Sequence, residues 1–103
     1  MIYRIRTYKI DPTKYNTFTD FFHKYLLPNQ KTFGSKLIGR WVNEKQNQIM
    51  AIWEYESKEH YEEIEKKIKK TPLHLVAQKR KEDLGNLYIE TTQTFWNSKG
   101  NYN

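Results

Sequence analysis

The sequence predicts an α+β fold of the ferredoxin-like type, in which helices cover one face of a four-stranded antiparallel sheet. The first observation behind this prediction is the order of the periodic segments, which is β-α-β-β-α-α-β. The second is that the connections are short, so that right-handed crossovers lead to this sandwich. The 103 residues suit one domain with one core. We expect this domain over 1–97 and a flexible C-terminal tail over 98–103.

A strand and a helix are predicted in the first third of the chain. Alternation predicts the strand, with one face carrying Ile2, Arg4, Arg6, Tyr8 and Ile10 and the other carrying Tyr3, Ile5 and Thr7. Asp11-Pro12 predicts the start of the helix, because aspartate accepts free backbone N–H groups and proline fits the first helical position. Leu27-Pro28 is expected to end or kink this helix.

The rest of the chain predicts a hairpin, two helices and a last strand. Ser57 is expected to cap the first of these helices, and Thr71-Pro72 to begin the second. Leu84-Gly85 is expected to close the second helix. The predicted strands lie at 36–42, 48–55 and 86–96.

The net charge is +6, from 18 lysines and arginines against 12 acidic residues. The excess lies in two predicted helices, around 66–70 and 79–81. In the first of these, glutamates precede lysines by four residues at Glu62–Lys66, Glu63–Lys67 and Glu65–Lys69, a spacing that stabilises a solvated helix. We therefore expect no nucleic-acid binding, since no groove-reading motif accompanies the charge.

Several classes of protein are excluded or disfavoured. Cysteine is absent, which excludes disulfides and thiolate sites. No apolar run approaches the roughly 20 residues that span a bilayer, and the first residues lack a signal-peptide core. We expect a cytoplasmic protein with no membrane span. The sequence also shows no Ser-His-Asp arrangement, no Gly-rich phosphate loop and no HExxH-type metal motif.

The predicted strands are apolar on both faces, although the helices can cover only one. In the third strand Ile49, Ala51, Trp53 and Tyr55 point one way and Met50 and Ile52 the other. A half-solvated sheet would show cleaner polar alternation. We therefore expect a homodimer, in which a second copy packs sheet on sheet by two-fold symmetry.

Five motifs, in order along nearly the whole domain, are similar to those of the NIPSNAP family. Ile2–Pro12 resembles the family's first strand, which carries Glu-x-Arg-x-Tyr and runs into a proline-containing helix start. Arg4 stands where the family has the glutamate. The other similar segments are Leu27-Pro28, Gly39-Arg40-Trp41, Trp53-Glu54-Tyr55-Glu56-Ser57 and Thr71-Pro72-Leu73-His74.

The resemblance implies the dimeric α/β-barrel superfamily, in which two ferredoxin-like sheets close into a barrel. Each subunit of such a protein has a cleft between its sheet and its helices. Members include antibiotic-biosynthesis monooxygenases, haem-degrading enzymes and proteins with no established chemistry. NIPSNAP-like proteins mostly belong to the last kind, and fold does not determine function here.

Arg6 and Tyr8 are candidate ligand-binding residues, because they share one strand face. Together with Arg4 they would present cations and a phenol to an anionic or carbonyl-bearing ligand. The alternative is that Arg4 and Arg6 pair across strands with Glu54 or Glu90 and stabilise the sheet.

Trp53 is a candidate for the wall of an aromatic pocket, together with Trp41, Tyr55, Phe18 and Phe22. The alternative is that these rings form the core, since aromatic side chains dominate small cores.

His74 is the remaining candidate. By position after the second predicted helix, it resembles the proximal haem ligand of the haem-degrading branch. That branch also carries an Asn in the first strand and a Trp in the second helix, where this chain has Thr7 and, by spacing, Ile64. His23 and His60 are interpreted as surface residues.

The function that we expect is binding of a small aromatic or carbonyl compound in the subunit cleft. Arg6 and Tyr8 would hold its polar end, with Trp53 nearby. No cofactor is expected. The alternative is a monooxygenase, either of the cofactor-independent antibiotic-biosynthesis type or of the haem-degrading type that would use His74.

Overall fold

Four strands form one antiparallel sheet in the computed structural model, which describes residues 1–100. They are β1 (Ile2–Lys9), β2 (Lys36–Val42), β3 (Gln48–Tyr55) and β4 (Glu90–Asn97). Their order across the sheet is β2-β3-β1-β4, and every neighbouring pair is antiparallel. The predicted ferredoxin-like α+β sandwich is confirmed.

The register assigns the two faces of the sheet. Arg4 of β1 lies opposite Trp53 of β3, and Arg6 lies opposite Ala51. These residues share a face with the buried Ile2 and Ile49, and we call this helix-covered side the inner face. The two faces predicted for β1 are therefore the ones that the structure forms.

The first helical region runs from Pro12 to Thr32 without a break. It comprises a 3₁₀ turn (Pro12–Lys14), α1 (Tyr15–Phe21), a π-helical segment (Phe22–Leu26) and α2 (Leu27–Thr32). Asp11 caps it as predicted, because its Oδ1 accepts a 2.9 Å hydrogen bond from the Thr13 N–H.

Leu27-Pro28 was predicted to end or kink this helix, and the structure shows that the helix does not end there. Pro28 has no N–H, and its ring would clash with a carbonyl one turn earlier in a regular α-helix. The wider π-helical turns stand immediately before α2, and the backbone stays helical through Leu27. The helix therefore continues past the proline.

The second pair of helices begins as predicted. They are α3 (Lys58–Lys69) and α4 (Pro72–Leu84). Ser57 Oγ accepts the His60 N–H at 3.0 Å, and Thr71 Oγ1 accepts the His74 N–H at 3.1 Å. α4 ends at Gly85, whose φ of 75° suits a residue without a Cβ.

β4 begins at Glu90, so the prediction of a strand from Asn86 is wrong. Leu87 lies between the helix and the strand and is only 1% exposed, because its side chain enters the core. The chain joins the sheet after this core contact, at the hydrogen bond from the Ile89 N–H to the Lys9 carbonyl. The domain limit at 97 stays a prediction. In the predicted tail, residues 98–100 form no helix or strand. Residues 101–103 lie outside the described residues.

The core consists of two clusters, both on the inner face. One is built from Ile2, Phe22, Ala51, Trp53, Tyr55, Ile64 and Ile68. The other is built from Ile10, Phe18, Phe21, Ile49, Ala77 and Leu87. Trp53, Tyr55, Phe18 and Phe22 thus belong to the core, as the alternative interpretation predicted, whereas Trp41 does not, because it lies on the other face of the sheet opposite Met50.

The outer face of the sheet, turned away from the helices, carries large apolar side chains. Trp41 is 47% exposed and Trp96 is 59% exposed. Met50 is also exposed, and the register places it on the same face as Ile52 and Ile5. No further element of residues 1–100 covers these side chains.

The glutamate–lysine pairs predicted along α3 are not formed within 4 Å in the described chain. The ion pairs that residues 1–100 form are Arg4–Glu65, Lys9–Glu90 and Lys36–Glu54. Within the same residues, no helix is long and apolar enough to cross a bilayer. The cytoplasmic location stays a prediction.

Candidate functional site

A cavity of about 190 Å³ lies between the inner face of the sheet and the helices. We call it the arginine cavity, because Arg4, Arg6 and Arg40 line it. It touches members of both core clusters, so it lies where the core is divided. The four residues predicted from the sequence all line it: Arg6, Tyr8, Trp53 and His74.

The walls of the cavity are largely aromatic and aliphatic. The π-helical segment supplies Phe22, Tyr25 and Leu26. Two small residues, Ala51 of β3 and Ala77 of α4, leave room between the sheet and the helices. π-Helical turns occur frequently at functional sites, and this one forms a wall of the cavity.

Arg4 is 4% exposed and has a carboxylate partner. Its Nη1 lies 3.5 Å from Glu65 Oε1 of α3 and donates to Tyr61 Oη and Gln93 Oε1, both at 3.4 Å. Its Cζ lies 5.0 Å from the centroid of the Tyr61 ring. The charge of Arg4 is thus neutralised within the protein.

The predicted pairing of Arg4 and Arg6 with Glu54 or Glu90 is wrong. Glu54 lies on the outer face, where it accepts the Tyr3 hydroxyl and pairs with Lys36. Glu90 is at the start of β4 and pairs with Lys9. Both carboxylates are therefore turned away from the inner face and form ion pairs with lysines. Arg4 pairs with Glu65 of α3 instead.

Arg6 has no carboxylate within 4 Å among residues 1–100. Its Nη2 donates to Thr91 Oγ1 at 3.1 Å, and its Cζ lies 5.1 Å from the centroid of the Tyr8 ring. Its Nε is buried without a hydrogen-bond partner. Arg6 therefore keeps both a positive charge and a free donor beside the cavity.

Arg40 reaches the cavity through a β-bulge in β2. Leu37 lies opposite Trp53, but Gly39 lies opposite Ile52, so that one extra residue stands between them. Regular alternation from Leu37 would have put Arg40 on the outer face, and the bulge returns it to the inner face opposite Ala51.

The Arg40 guanidinium lies over aromatic rings rather than beside a carboxylate. Its Cζ is 4.7 Å from the centroid of the Phe22 ring and 5.6 Å from that of Phe18. Its Nη1 donates to Thr19 Oγ1 at 3.1 Å, whereas its Nη2 is buried without a partner. Burial lowers the pKa of Arg40, since it penalises the charged form. The guanidinium nevertheless stays charged, as arginine does in proteins.

Tyr8 supplies a hydroxyl beside these guanidinium groups. Its ring packs edge-on against Phe18 with centroids 5.0 Å apart. Burial raises the pKa of Tyr8, and the positive charges of Arg6 and Arg4 oppose that rise. The hydroxyl is therefore a neutral donor at physiological pH.

The raised pKa of Tyr8 predicts a loss of stability in alkali. A group with a raised folded-state pKa contributes stability that is present below the unfolded pKa, about 10 for tyrosine, and is lost as pH rises through the folded value. Denaturant unfolding at several alkaline pH values checks this. We expect Tyr8→Phe to reduce the loss, and Tyr8→Phe with Tyr55→Phe to reduce it further, because burial also raises the pKa of Tyr55. An unchanged alkaline loss in both variants would contradict the assignment.

His74 lines the cavity, but the two other groups that accompany the proximal ligand in the haem-degrading branch are absent from it. Thr7 lies on the outer face, where its hydroxyl meets that of Thr92. Ile64 is a core residue that does not line the cavity. Within residues 1–100, no group of three or more histidines, cysteines or carboxylates could hold a metal ion.

The sequence reasoning missed several polar residues of the cavity. Asn29 and Gln30 line it from α2, which follows the proline where the helix was predicted to end or kink. Asn29 is buried, and its Nδ2 donates to Thr71 Oγ1 at 2.8 Å, whereas Gln30 Nε2 donates to Glu65 Oε1 at 3.2 Å. The sequence indicated Arg40 only as part of the Gly39-Arg40-Trp41 motif. The bulge that turns Arg40 to the inner face leaves no clear signal in the alternation of side chains along β2.

Solved structures share this fold. A NIPSNAP domain protein from Burkholderia xenovorans is 19% identical, with 96% of this chain and 95% of that chain covered and a TM-score of 0.80. A NIPSNAP family protein of unknown function from Agrobacterium tumefaciens is 21% identical, with coverages of 96% and 94% and a TM-score of 0.82. A protein from Nitrosomonas europaea, provisionally named an antibiotic biosynthesis monooxygenase, is 10% identical, with coverages of 95% and 98% and a TM-score of 0.67.

No curated protein matches the sequence of the chain, but a family model does. The NIPSNAP family model matches residues 3–95, which span all four strands and both pairs of helices. The match includes Arg6, Tyr8, Arg40, Trp53 and His74. The chain belongs to the NIPSNAP family.

Proposed function

We propose that the arginine cavity binds a small molecule that combines an aromatic ring with a carbonyl or anionic end. The observation that carries this proposal is that guanidinium N–H donors of all three arginines, Arg4, Arg6 and Arg40, are buried without partners in a cavity walled by aromatic rings. Buried donors are normally satisfied, and each unsatisfied one is costly. A ligand oxygen would satisfy them.

The size of the cavity limits the ligand to about one ring. An engineered apolar cavity of about 150 Å³ holds benzene, and the arginine cavity has about 190 Å³. One ring with one or two small substituents therefore fits. Its apolar body would contact Phe22 and Trp53, and its polar end would meet Arg6, Arg40 and the Tyr8 hydroxyl.

Binding is tested by titrating single-ring carbonyl compounds against the protein and following its amide NMR shifts and thermal stability. Ala51→Val is expected to weaken binding, because Ala51 faces the cavity and added methyl groups would fill it. Met50→Val is the matched control, since Met50 immediately precedes Ala51 in β3 and points to the outer face. No binding by any compound, or equal binding by Ala51→Val, would refute the proposal.

A second candidate is a cofactor-independent monooxygenase. It is favoured by the shared fold with a protein provisionally named an antibiotic biosynthesis monooxygenase and by a cavity that would bury an aromatic substrate. Such an enzyme would consume oxygen in the presence of an electron-rich phenol. Oxygen uptake above that of a protein-free control would favour this candidate, and the absence of uptake would leave the binding protein.

We also propose that two copies of the chain pack through the outer faces of their sheets. The support is the row of exposed apolar side chains on that face, which includes Trp41, Met50 and Trp96. Exposed apolar surface of this kind typically marks an interface. A second copy covers such a face by two-fold symmetry, with the same patch on both subunits.

A further inference from the structure

The three arginines of the cavity differ in what balances their charge. Arg4 has the Glu65 carboxylate at 3.5 Å. For Arg6 and Arg40 the described residues place no carboxylate within 4 Å, and their hydrogen-bond partners are the threonine hydroxyls of Thr91 and Thr19. Two positive charges beside the cavity therefore have no negative partner within the described protein.

Of these two unbalanced charges, that of Arg40 is the more unfavourable for the folded protein. Its guanidinium is partly withdrawn from water and rests on the rings of Phe18 and Phe22. Cation–π contacts offset only part of the lost hydration, and an uncompensated buried charge is destabilising. A neutral carbonyl would satisfy a donor but leave the charge unbalanced, whereas an anion would do both.

The anion that fits is small and planar. Glu65 already balances Arg4, so an anion in the cavity would meet the two unbalanced guanidinium groups of Arg6 and Arg40. A carboxylate is planar and matches the donor fork of a guanidinium. The aromatic walls suit a ring attached to this carboxylate, which phosphate alone would not use.

We infer that the ligand of the arginine cavity is a single-ring aromatic carboxylate, and that Arg40 and Arg6, rather than Arg4, receive its carboxylate. This inference rests on the proposed function and names its ligand class. Tyr8 donates to the same carboxylate through its neutral hydroxyl. Arg4 has a different role, since its bonds to Glu65 and Tyr61 tie the sheet to α3 and its bond to Gln93 links β1 to β4.

The test compares benzoate with benzamide, which has nearly the same shape and no charge. Hydrogen bonds to charged groups contribute more than neutral ones, so benzoate is expected to bind at least about tenfold more tightly, measured by calorimetry at constant ionic strength. Arg40→Met is expected to remove most of this preference. Arg80→Met is the matched control, because it changes the net charge equally from an exposed position of α4 outside the cavity.

The outcomes distinguish failure of the carboxylate assignment from failure of the proposed binding function. Equal affinities for benzoate and benzamide would overturn the carboxylate and leave the binding function intact, whereas binding of neither would remove both. Loss of the preference in Arg80→Met as well would assign it to long-range charge and overturn the role of Arg40. Competition by inorganic phosphate as strong as that by benzoate would overturn the carboxylate class.

A folding control keeps the Arg40 variant interpretable. Without ligand, Arg40→Met is expected to be at least as stable as the natural chain, since it removes a half-buried charge that no carboxylate balances. Arg40→Lys keeps the charge but loses the fork, so it is expected to retain only part of the preference for benzoate. Full retention of the preference by Arg40→Met would overturn the inference.

Discussion

Trp53→Ala is expected to lower the free energy of unfolding by about 3–5 kcal/mol. Trp53 is 3% exposed, packs against Phe22 with ring centroids 6.0 Å apart, and lies 5.7 Å from the Arg4 guanidinium. Removal of the Trp53 side chain would enlarge the cavity and take away the ring that packs beside the Arg4 guanidinium. Urea unfolding followed by circular dichroism measures the change. Because small domains are stable by only about 5–15 kcal/mol, the variant would lie near the limit of folding.

Trp96→Ala is the matched control for this prediction. The Trp96 side chain is 59% exposed in the single chain and lies on the outer face of β4. It is expected to lose less than half as much stability as Trp53→Ala when both are measured at a protein concentration low enough to dissociate the proposed dimer. Equal losses in the two variants would contradict the assignment of Trp53 to the core.

Ile52→Lys is expected to convert the proposed dimer into monomers. Ile52 lies in β3 opposite Ile5 and is on the outer face. In a two-fold sheet-on-sheet interface, each copy would bring an unpaired lysine into the apolar contact, and burial of an unpaired charge is costly. The dissociation constant is expected to rise by at least about a hundredfold, equivalent to roughly 2.7 kcal/mol. Sedimentation equilibrium over a range of concentrations checks this.

Val76→Lys controls for the added charge. Val76 is an exposed apolar residue of α4, away from the sheet. The same substitution there is expected to leave the association unchanged. A natural chain that stays monomeric at all concentrations would refute the dimer, and so would a weakening by Val76→Lys equal to that by Ile52→Lys.

Arg6 and Tyr8 were predictable as site residues because they depend on a local property. Alternation in β1 puts both on one face with Arg4, and the same face became the inner one. Alternation in β3 puts Trp53 on one face with Ala51, but both faces of that strand are apolar, so the sequence did not decide which face the helices cover. The sequence did not decide whether Trp53 forms core or cavity wall, and the structure shows that it forms both.

Arg40 and Glu65 could not be assigned in the same way. Arg40 depends on one extra residue in β2 at the bulge between Leu37 and Gly39, and a single-residue shift exchanges the two faces of a strand. Glu65 had a lysine at helical spacing, yet it pairs with Arg4 from a distant strand. Both outcomes depend on contacts between segments far apart in the chain.

The sequence by itself determined the order of the elements, the helix caps at Asp11, Ser57 and Thr71, and which residues of β1 and of β3 share a face. These follow from bonds within a few residues and from the two-residue period of a strand. The tertiary structure alone decided which arginines keep an unbalanced charge. That outcome depends on where Glu65 and the aromatic rings come to lie when the helices pack on the sheet, and no local pattern encodes such a position.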